Sequence, residues 1–504
     1  MNNTSRKIRP LAFLLLALST SAMASVKPNP LFSDGAVLQQ ETPIPVWGAA
    51  KEGEKVTVKF DGQEVSATAK DGKWMVKLPA HKAGGPFAMT IAGENTNTIA
   101  ITNVLVGEVW VCSGQSNMQF PLKEAANAAD EIPTANYPNL RMFSVPVKCA
   151  ASPQDESAGR WLACTPANAA GFSAVGYFFG RNILKARSVP VGMISSSMMG
   201  SPAQAWTSLA GLGKSPEIKV YTDRLTNAVA AYLKELEEYR GLIEKYQAKY
   251  GSPSAPIAAP NWDDLPPPGP SSPFGFFGTA TVLYNGMIAP LIPYAIRGVI
   301  WYQGESNASE AALYPTLFSC MIADWREKWG RGDFPFLFTQ IAPCGSWPPQ
   351  IREAQFLTLA KTTNTAMAVT TDVGEAGNIH PKQKEPVGAR LALAARALAY
   401  DEKIEYSGPL YQSVKIDGNR AILSFIHTGS GLMAKAGELK GFTIAGADKK
   451  FLAAKAEIAG DTVVVSSAEI SAPVAVRYGW TEFPDVNLYN KEGLPASPFR
   501  TDIK

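Results

Sequence analysis

Short alternating runs open the chain. Between Val26 and Thr102, residues 56–60, 74–78 and 89–91 carry apolar side chains at every second position, and Asp61-Gly62 and Asp71-Gly72 break the pattern. Period-two runs joined by such tight-turn pairs predict antiparallel hairpins, hence a small β-sandwich over residues 25–103. The texture then changes. Nearly continuous apolar runs at 104–112, 191–195, 299–302, 336–341 and 366–371 alternate with helical-period segments at 174–186, 313–329 and 386–399. Buried strands alternating with helices predict an α/β unit over residues 104–403, a parallel sheet with helices on both faces. Residues 216–250 depart from this, being helical and charged (Lys234, Glu235, Glu237, Glu238, Arg240, Glu244, Lys245) and followed by a Pro-rich run through Pro270. They read as a solvated insertion at about 210–275. From Ile404 the β-type runs return (421–425, 462–465, 474–476), predicting a second β domain over 404–504.

The length of 504 residues agrees with about three such units. Residues 1–24 read as a secretory signal: Arg6, Lys7 and Arg9, then an apolar run from Leu11 to Leu18, then Ala22-Met23-Ala24 before Ser25. The run is too short to span a bilayer, no Cys follows the cleavage site to take a lipid, and no later segment supplies about 20 uninterrupted apolar residues. The expectation is an exported protein, periplasmic or secreted. The formal net charge of +3 matches the three bases of this signal, so the mature chain is balanced. A nucleic acid or an anionic membrane is therefore not the expected partner, and oligomeric state is left open. Export permits disulfides. Of the five cysteines, Cys149 with Cys164 and Cys320 with Cys344 each close a short loop, while Cys112 lies in the apolar run 109–112 and reads as a core thiol. No cysteine or histidine spacing resembles a metal site, and no cofactor is indicated.

Four polar loops follow predicted strands, where ligands of open α/β sheets bind. The sharpest is Gly114-Gln115-Ser116-Asn117-Met118, which places Ser116 as a nucleophile whose backbone amide can also receive an oxyanion. A helix-capping serine is the plainer reading of that segment alone. A serine nucleophile needs a base, and the histidines are His81, His380 and His427. His81 and His427 sit in turns of the flanking β regions and read as surface residues. His380, in Asn378-Ile379-His380-Pro381, follows a central strand and is the favoured base. The other two loops are Met199-Gly200-Ser201-Pro202 and Gln303-Gly304-Glu305-Ser306-Asn307, whose backbone and side-chain amides can donate to an oxyanion.

In this order, and together with Ala205-Trp206 and Trp301-Tyr302, these motifs resemble the sialate O-acetylesterase family, a branch of the SGNH hydrolases, over nearly the whole mature chain. The resemblance implies a metal-independent serine esterase that removes acetyl groups from sugar hydroxyls. Ser116 would be the nucleophile, His380 the base, and Gly200 with Asn307 or Gln303 the rest of the oxyanion hole. Sugars would be selected by Trp206, Glu305 and Trp347; Trp301 and Tyr302 read equally well as core. Many SGNH enzymes carry an Asp three residues before the catalytic His. Here that position is Gly377, so Asp372 at the preceding strand end is the expected orienting acid, with Glu375 or a backbone carbonyl as alternatives. A plant-polysaccharide acetylesterase such as an acetylxylan esterase would use the same site, and a non-catalytic carbohydrate-binding protein is the competing class.

Overall fold

The computed structural model describes residues 25–94, 96–250 and 268–502; the predicted signal and residues 251–267 of the Pro-rich run lie outside the described residues. One strand organises the molecule. β1 (Thr98–Gly114) begins with part-exposed positions, pairing antiparallel with Gly84–Gly93, and is buried without interruption from Val104 onward. That switch from one covered face to two is what carries the chain into the central sheet. The boundary expected at 103/104 thus falls inside a continuous strand.

The central sheet adds β2 (Tyr137–Ser144), β3 (Trp161–Cys164), β4 (Val191–Ser197), β5 (Gly298–Tyr302), β6 (Phe336–Thr339) and β7 (Thr365–Ala368). Its order is β3-β2-β4-β1-β5-β6-β7. Every neighbouring pair is parallel except β3, which runs antiparallel along β2, so the sheet is mixed. β1 lies between β4 and β5, and the chain leaves it to one side before returning to the other. Its carboxyl end is therefore a topological switch point, where an open α/β sheet leaves a crevice.

The main helices are α1 (Ala174–Arg187), α2 (Lys219–Tyr250), α3 (Tyr314–Trp329), α4 (Pro349–Leu359) and α5 (Glu385–Tyr400). Trp301 pairs with Ser113, an odd number of residues from Trp110, so the two indoles point to opposite faces of the sheet. Trp110 meets Phe179 of α1, whereas Trp301 meets Phe318 and Trp325 of α3. Helices therefore cover both faces. α2, the helix expected in the charged insertion, is largely solvent-exposed. One apolar core runs from Val26 to Leu410, and a second, from Ala421 to Phe499, fills the C-terminal β region. Arg500 ties the latter to α4 through both oxygens of Glu353 (2.8 and 3.0 Å).

The expected disulfides are not formed; all five cysteines are free thiols. Cys164 turns toward Ala135 O, and Cys320 sits on α3 among Lys214, Lys361, Glu217 and Asp324. Cys344 instead adjoins Tyr302 and Arg352. Closeness along the chain did not translate into facing side chains. Cys112 is the core thiol expected, and burial pushes its pKa up to about 12. Among the described residues no helix is long and apolar enough to cross a membrane.

Candidate active site

At the end of β1, Gly114 has φ +136, and a Cβ there would lie 2.1 Å from Tyr302 O, so only glycine lets the backbones of β1 and β5 approach this closely. Gln115 then donates its N–H to Tyr302 O (2.9 Å), while its Oε1 accepts from the N–H groups of Gly304 and Ser306 (3.4 and 3.3 Å). These bonds lock the first loop to the third. Ser116 starts a single helical turn, Ser116–Gln119, with its Oγ 2.7 Å from His380 Nε2. In the tautomer that carries its proton on Nδ1, the imidazole accepts the serine hydroxyl, the arrangement a general base requires. Burial, reinforced by the charge of Lys384 and opposed by Glu124, holds His380 below the ordinary histidine value. The ring is thus neutral near pH 7.

The loop carrying His380 is fixed through its backbone. Asn378 Oδ1 accepts from His380 N–H and Asn378 Nδ2 donates to His380 O, both at 2.9 Å. The same Nδ2 donates to Glu375 Oε2, whose other oxygen accepts from Lys382 N–H (2.9 and 2.7 Å). Those donors hold the Glu375 carboxyl below the usual range. Glu375 therefore shapes the loop and does not touch the imidazole.

Asp372 is a correction. Both its oxygens are taken by the Arg390 guanidinium of α5 (2.7 and 2.6 Å), and it is not among the charges that act on His380. The forked pair fixes the plane of the carboxylate on α5, and Tyr489 is its other neighbour. Among the described residues no carboxylate is hydrogen-bonded to His380 Nδ1. His380 does border a cavity of about 530 Å³ together with Phe120, Lys123, Glu124, Asn378 and Lys382. A larger concavity, about 760 Å³, lies apart from it, between the N-terminal strands and residues 148–156. There Lys73 and Lys27 pair with Asp155 and Glu156, so that space is a seam closed by its own charges.

The second loop brings Gly200, at φ +68, against the Phe277 ring, and its neighbour Met199 donates N–H to Gln119 Oε1 (2.9 Å) at the end of the turn that begins with Ser116. In the third loop, Asn307 Oδ1 accepts from Ala203 N–H (2.9 Å) and Gln303 Nε2 (2.8 Å), and Asn307 Nδ2 donates to Gln204 Oε1 (2.9 Å). Gln303 also reaches Ser201 O and Tyr314 OH. Its amide is occupied, so Gln303 orients Asn307 and is not free to meet an oxyanion.

Two residues expected to bind sugar are buried. Trp206 has no exposed face and donates Nε1–H to Ser201 Oγ (2.8 Å), packing edge-on against Trp301. Glu305 accepts Asn117 Nδ2 within the interior (2.7 Å), and burial pushes its carboxyl pKa up. Trp301 and Tyr302 are core, whereas Trp347 is half-buried. His81 and His427 are not free surface groups: each pairs with an acid, Asp61 and Glu405, at 2.8 Å. The sequence reading passed over Gln115, Asn117, Asn378 and Lys384. The first two flank Ser116 and the third stands two residues before His380, but Lys384, in a run of Lys and Gln, gives no sign that it is buried. Burial pushes its ammonium pKa down to about 7. Among the described residues no cluster of three His, Cys, Asp or Glu side chains could hold a metal ion.

Residues 277–397, which carry the third loop and the His380 loop, match the family described as carbohydrate esterase, sialic acid-specific acetylesterase. The class follows from this match and the relatives below: the chain is a carboxylic ester hydrolase. The human sialate O-acetylesterase is 32% identical over 96% of this chain and 94% of its own length, and the rat enzyme is 31% identical over 93% and 92%. A solved carbohydrate acetylesterase from Xanthomonas citri, 38% identical, superposes with a TM-score of 0.81 over 95% of this chain and 100% of that one. By these relationships the chain belongs to the sialate O-acetylesterase family.

Proposed function

We propose that the protein is a serine esterase that removes O-acetyl groups from sugar hydroxyls, with O-acetylated sialic acids as its substrate and the loop arrangement of SGNH hydrolases. The observation that carries the reading is the 2.7 Å contact between Ser116 Oγ and His380 Nε2 at the switch point of the sheet. His380 takes the hydroxyl proton as Oγ attacks the acetyl carbonyl. The resulting oxyanion is received by the N–H groups of Ser116 and Gly200 and by Asn307 Nδ2. Collapse expels the sugar oxygen, which takes the proton from His380 and leaves acetyl-Ser116. Water, deprotonated by His380, then releases acetate and restores the serine. The imidazole works in a Ser-His dyad, a reading supported by the commitment of Asp372 to Arg390 and of Glu375 to its loop.

The sugar leaves toward an apolar rim. Met199, Phe276 and Ile379 are exposed, and Phe276 packs on Phe277, the ring that covers Gly200. A pyranose presents an apolar face to such a surface. The mature protein begins at Ser25 after export. The test is acetate release from O-acetylated sialosides and from acetylated xylan, measured side by side. Faster release from the sialosides supports the reading, faster release from xylan moves the substrate to plant polysaccharide, and no release from either refutes the esterase assignment.

A further inference from the structure

Three segments distant in sequence meet at one amide. Asn117 follows the nucleophile, and its Nδ2 donates to Glu305 Oε1 at 2.7 Å and to Ile379 O at 3.0 Å. Its Oδ1 accepts from Lys384 Nζ at 2.5 Å. Ile379 precedes the base His380, and Glu305 lies in the loop that carries Asn307. The amide is buried and fully used: two hydrogens go to two acceptors, and the oxygen accepts from the Lys384 amine.

The orientation of this amide is over-determined. Turning it over would set its oxygen against two acceptors, Glu305 Oε1 and Ile379 O, and remove both bonds that its hydrogens now make. Lys384 cannot swing away, because it is buried with the rings of Phe120 and Tyr302 4.6 and 5.4 Å from its nitrogen. Among the described residues Glu305 Oε2 has no side-chain hydrogen bond, and Oε1 is committed to Asn117. A buried acid and amine of this kind contribute little net stability compared with apolar residues of the same volume.

We infer that Asn117 is the residue that sets the approach of Ser116 to His380, with Lys384 and Glu305 as positioning residues that hold its amide. The dyad has no carboxylate on the imidazole, and this bracket supplies orientation from the loop side instead: one side chain is covalently next to the nucleophile and hydrogen-bonded next to the base. The inference rests on the Ser-His reading above.

The test uses the full mature chain and an aryl acetate. Asn117→Asp is isosteric but has no donor for Glu305 or Ile379. It should lower kcat by about 100-fold, the cost of a misplacement of roughly 1 Å, with KM within about threefold. Adding Glu305→Gln to that variant places an amide donor opposite the introduced carboxylate, with the polarity of the bond reversed, and should recover at least about fivefold in kcat. Lys384→Met keeps the packing on the two rings and removes the bond to Asn117 Oδ1; it should lower kcat about tenfold while Tm falls by only about 1–5 °C, the cost of one stranded buried acceptor in a chain of this size. Near-normal kcat in Asn117→Asp or in Lys384→Met overturns the inference. So does a parallel fall of kcat and Tm with no recovery in the double variant. Ser116→Ala is run alongside, and activity retained there removes the dyad reading itself.

Discussion

Replacing Asp372 by Asn separates an acid that orients the base from one that holds the fold. Asp372 Oδ1 and Oδ2 accept from Arg390 Nη1 and Nη2 at 2.7 and 2.6 Å, and the two side chains are 17% and 10% exposed. An asparagine keeps one acceptor but turns an NH2 group toward the guanidinium, which retains its bond to Val369 O. Losing one charge-assisted bond and the partner charge at a largely covered site should cost about 1–3 kcal/mol of stability. With an unfolding entropy of about 2 cal/mol/K per residue over roughly 480 residues, that is a fall in Tm of only about 1–3 °C. Loss of a triad acid would instead lower turnover by up to about 10,000-fold through the wrong imidazole tautomer. The assay is kcat on an aryl acetate together with calorimetric melting of the same preparation. The structure requires kcat within about threefold of the parent and a small drop in Tm. A tenfold or greater loss of kcat at unchanged Tm would show that Asp372 acts on His380 after all.

Three further outcomes are expected. His380→Ala should lower kcat by about 1,000-fold or more, while His81→Ala and His427→Ala should leave it near normal, because those rings are committed to Asp61 and Glu405; steady-state kinetics on all three decides. Since the active form of His380 is neutral and its pKa lies below the ordinary value, the acid limb of kcat/KM should fall below pH 6.5, about the unperturbed histidine value; a limb above 6.5 in the pH profile would contradict the burial assigned to the ring. Phe276→Ala should raise KM for an acetylated sugar by about tenfold and change KM for a small aryl acetate by less than about threefold, since most of the exposed ring is available to the sugar and only its inner edge packs on Phe277; equal effects on both substrates would place Phe276 elsewhere in the mechanism.

The strands and helices that position the site were readable because each buries a continuous run or a regular stripe: the apolar runs at 191–195 and 299–302 became β4 and β5, and 174–186 became α1. Ser116 and His380 were singled out for their place at strand ends, and the structure brings their side chains to 2.7 Å of each other. Residues whose polarity is satisfied at long range were not readable. Asp372 was favoured for its place on the chain, yet its partner Arg390 lies on the next helix, and no local spacing announces that pair. Glu305 and Trp206 were read as lining a cleft because their types suit sugars, but the chain spends them on Asn117 and Ser201 in the interior. The helix Pro349–Leu359 was not predicted; it opens on Pro348-Pro349, a pair that marks turns as readily as a first helical turn. The edge strand Trp161–Cys164 is short and has no alternation to reveal it.

β1 makes the Ser116 loop and the N-terminal strands parts of one mechanical object. The strand Val37–Gln39 pairs with Leu105–Gly107, and Gln39 and Gln40 bond to Glu108, which is held in turn by Arg297 just ahead of β5. A cut at residue 103 would strip one edge of the strand that presents Ser116 and leave Glu108 without two of its buried donors. The N-terminal strands are therefore not a detachable module. Truncation should yield insoluble protein rather than a smaller esterase, and heating should melt these strands and the serine loop in a single transition.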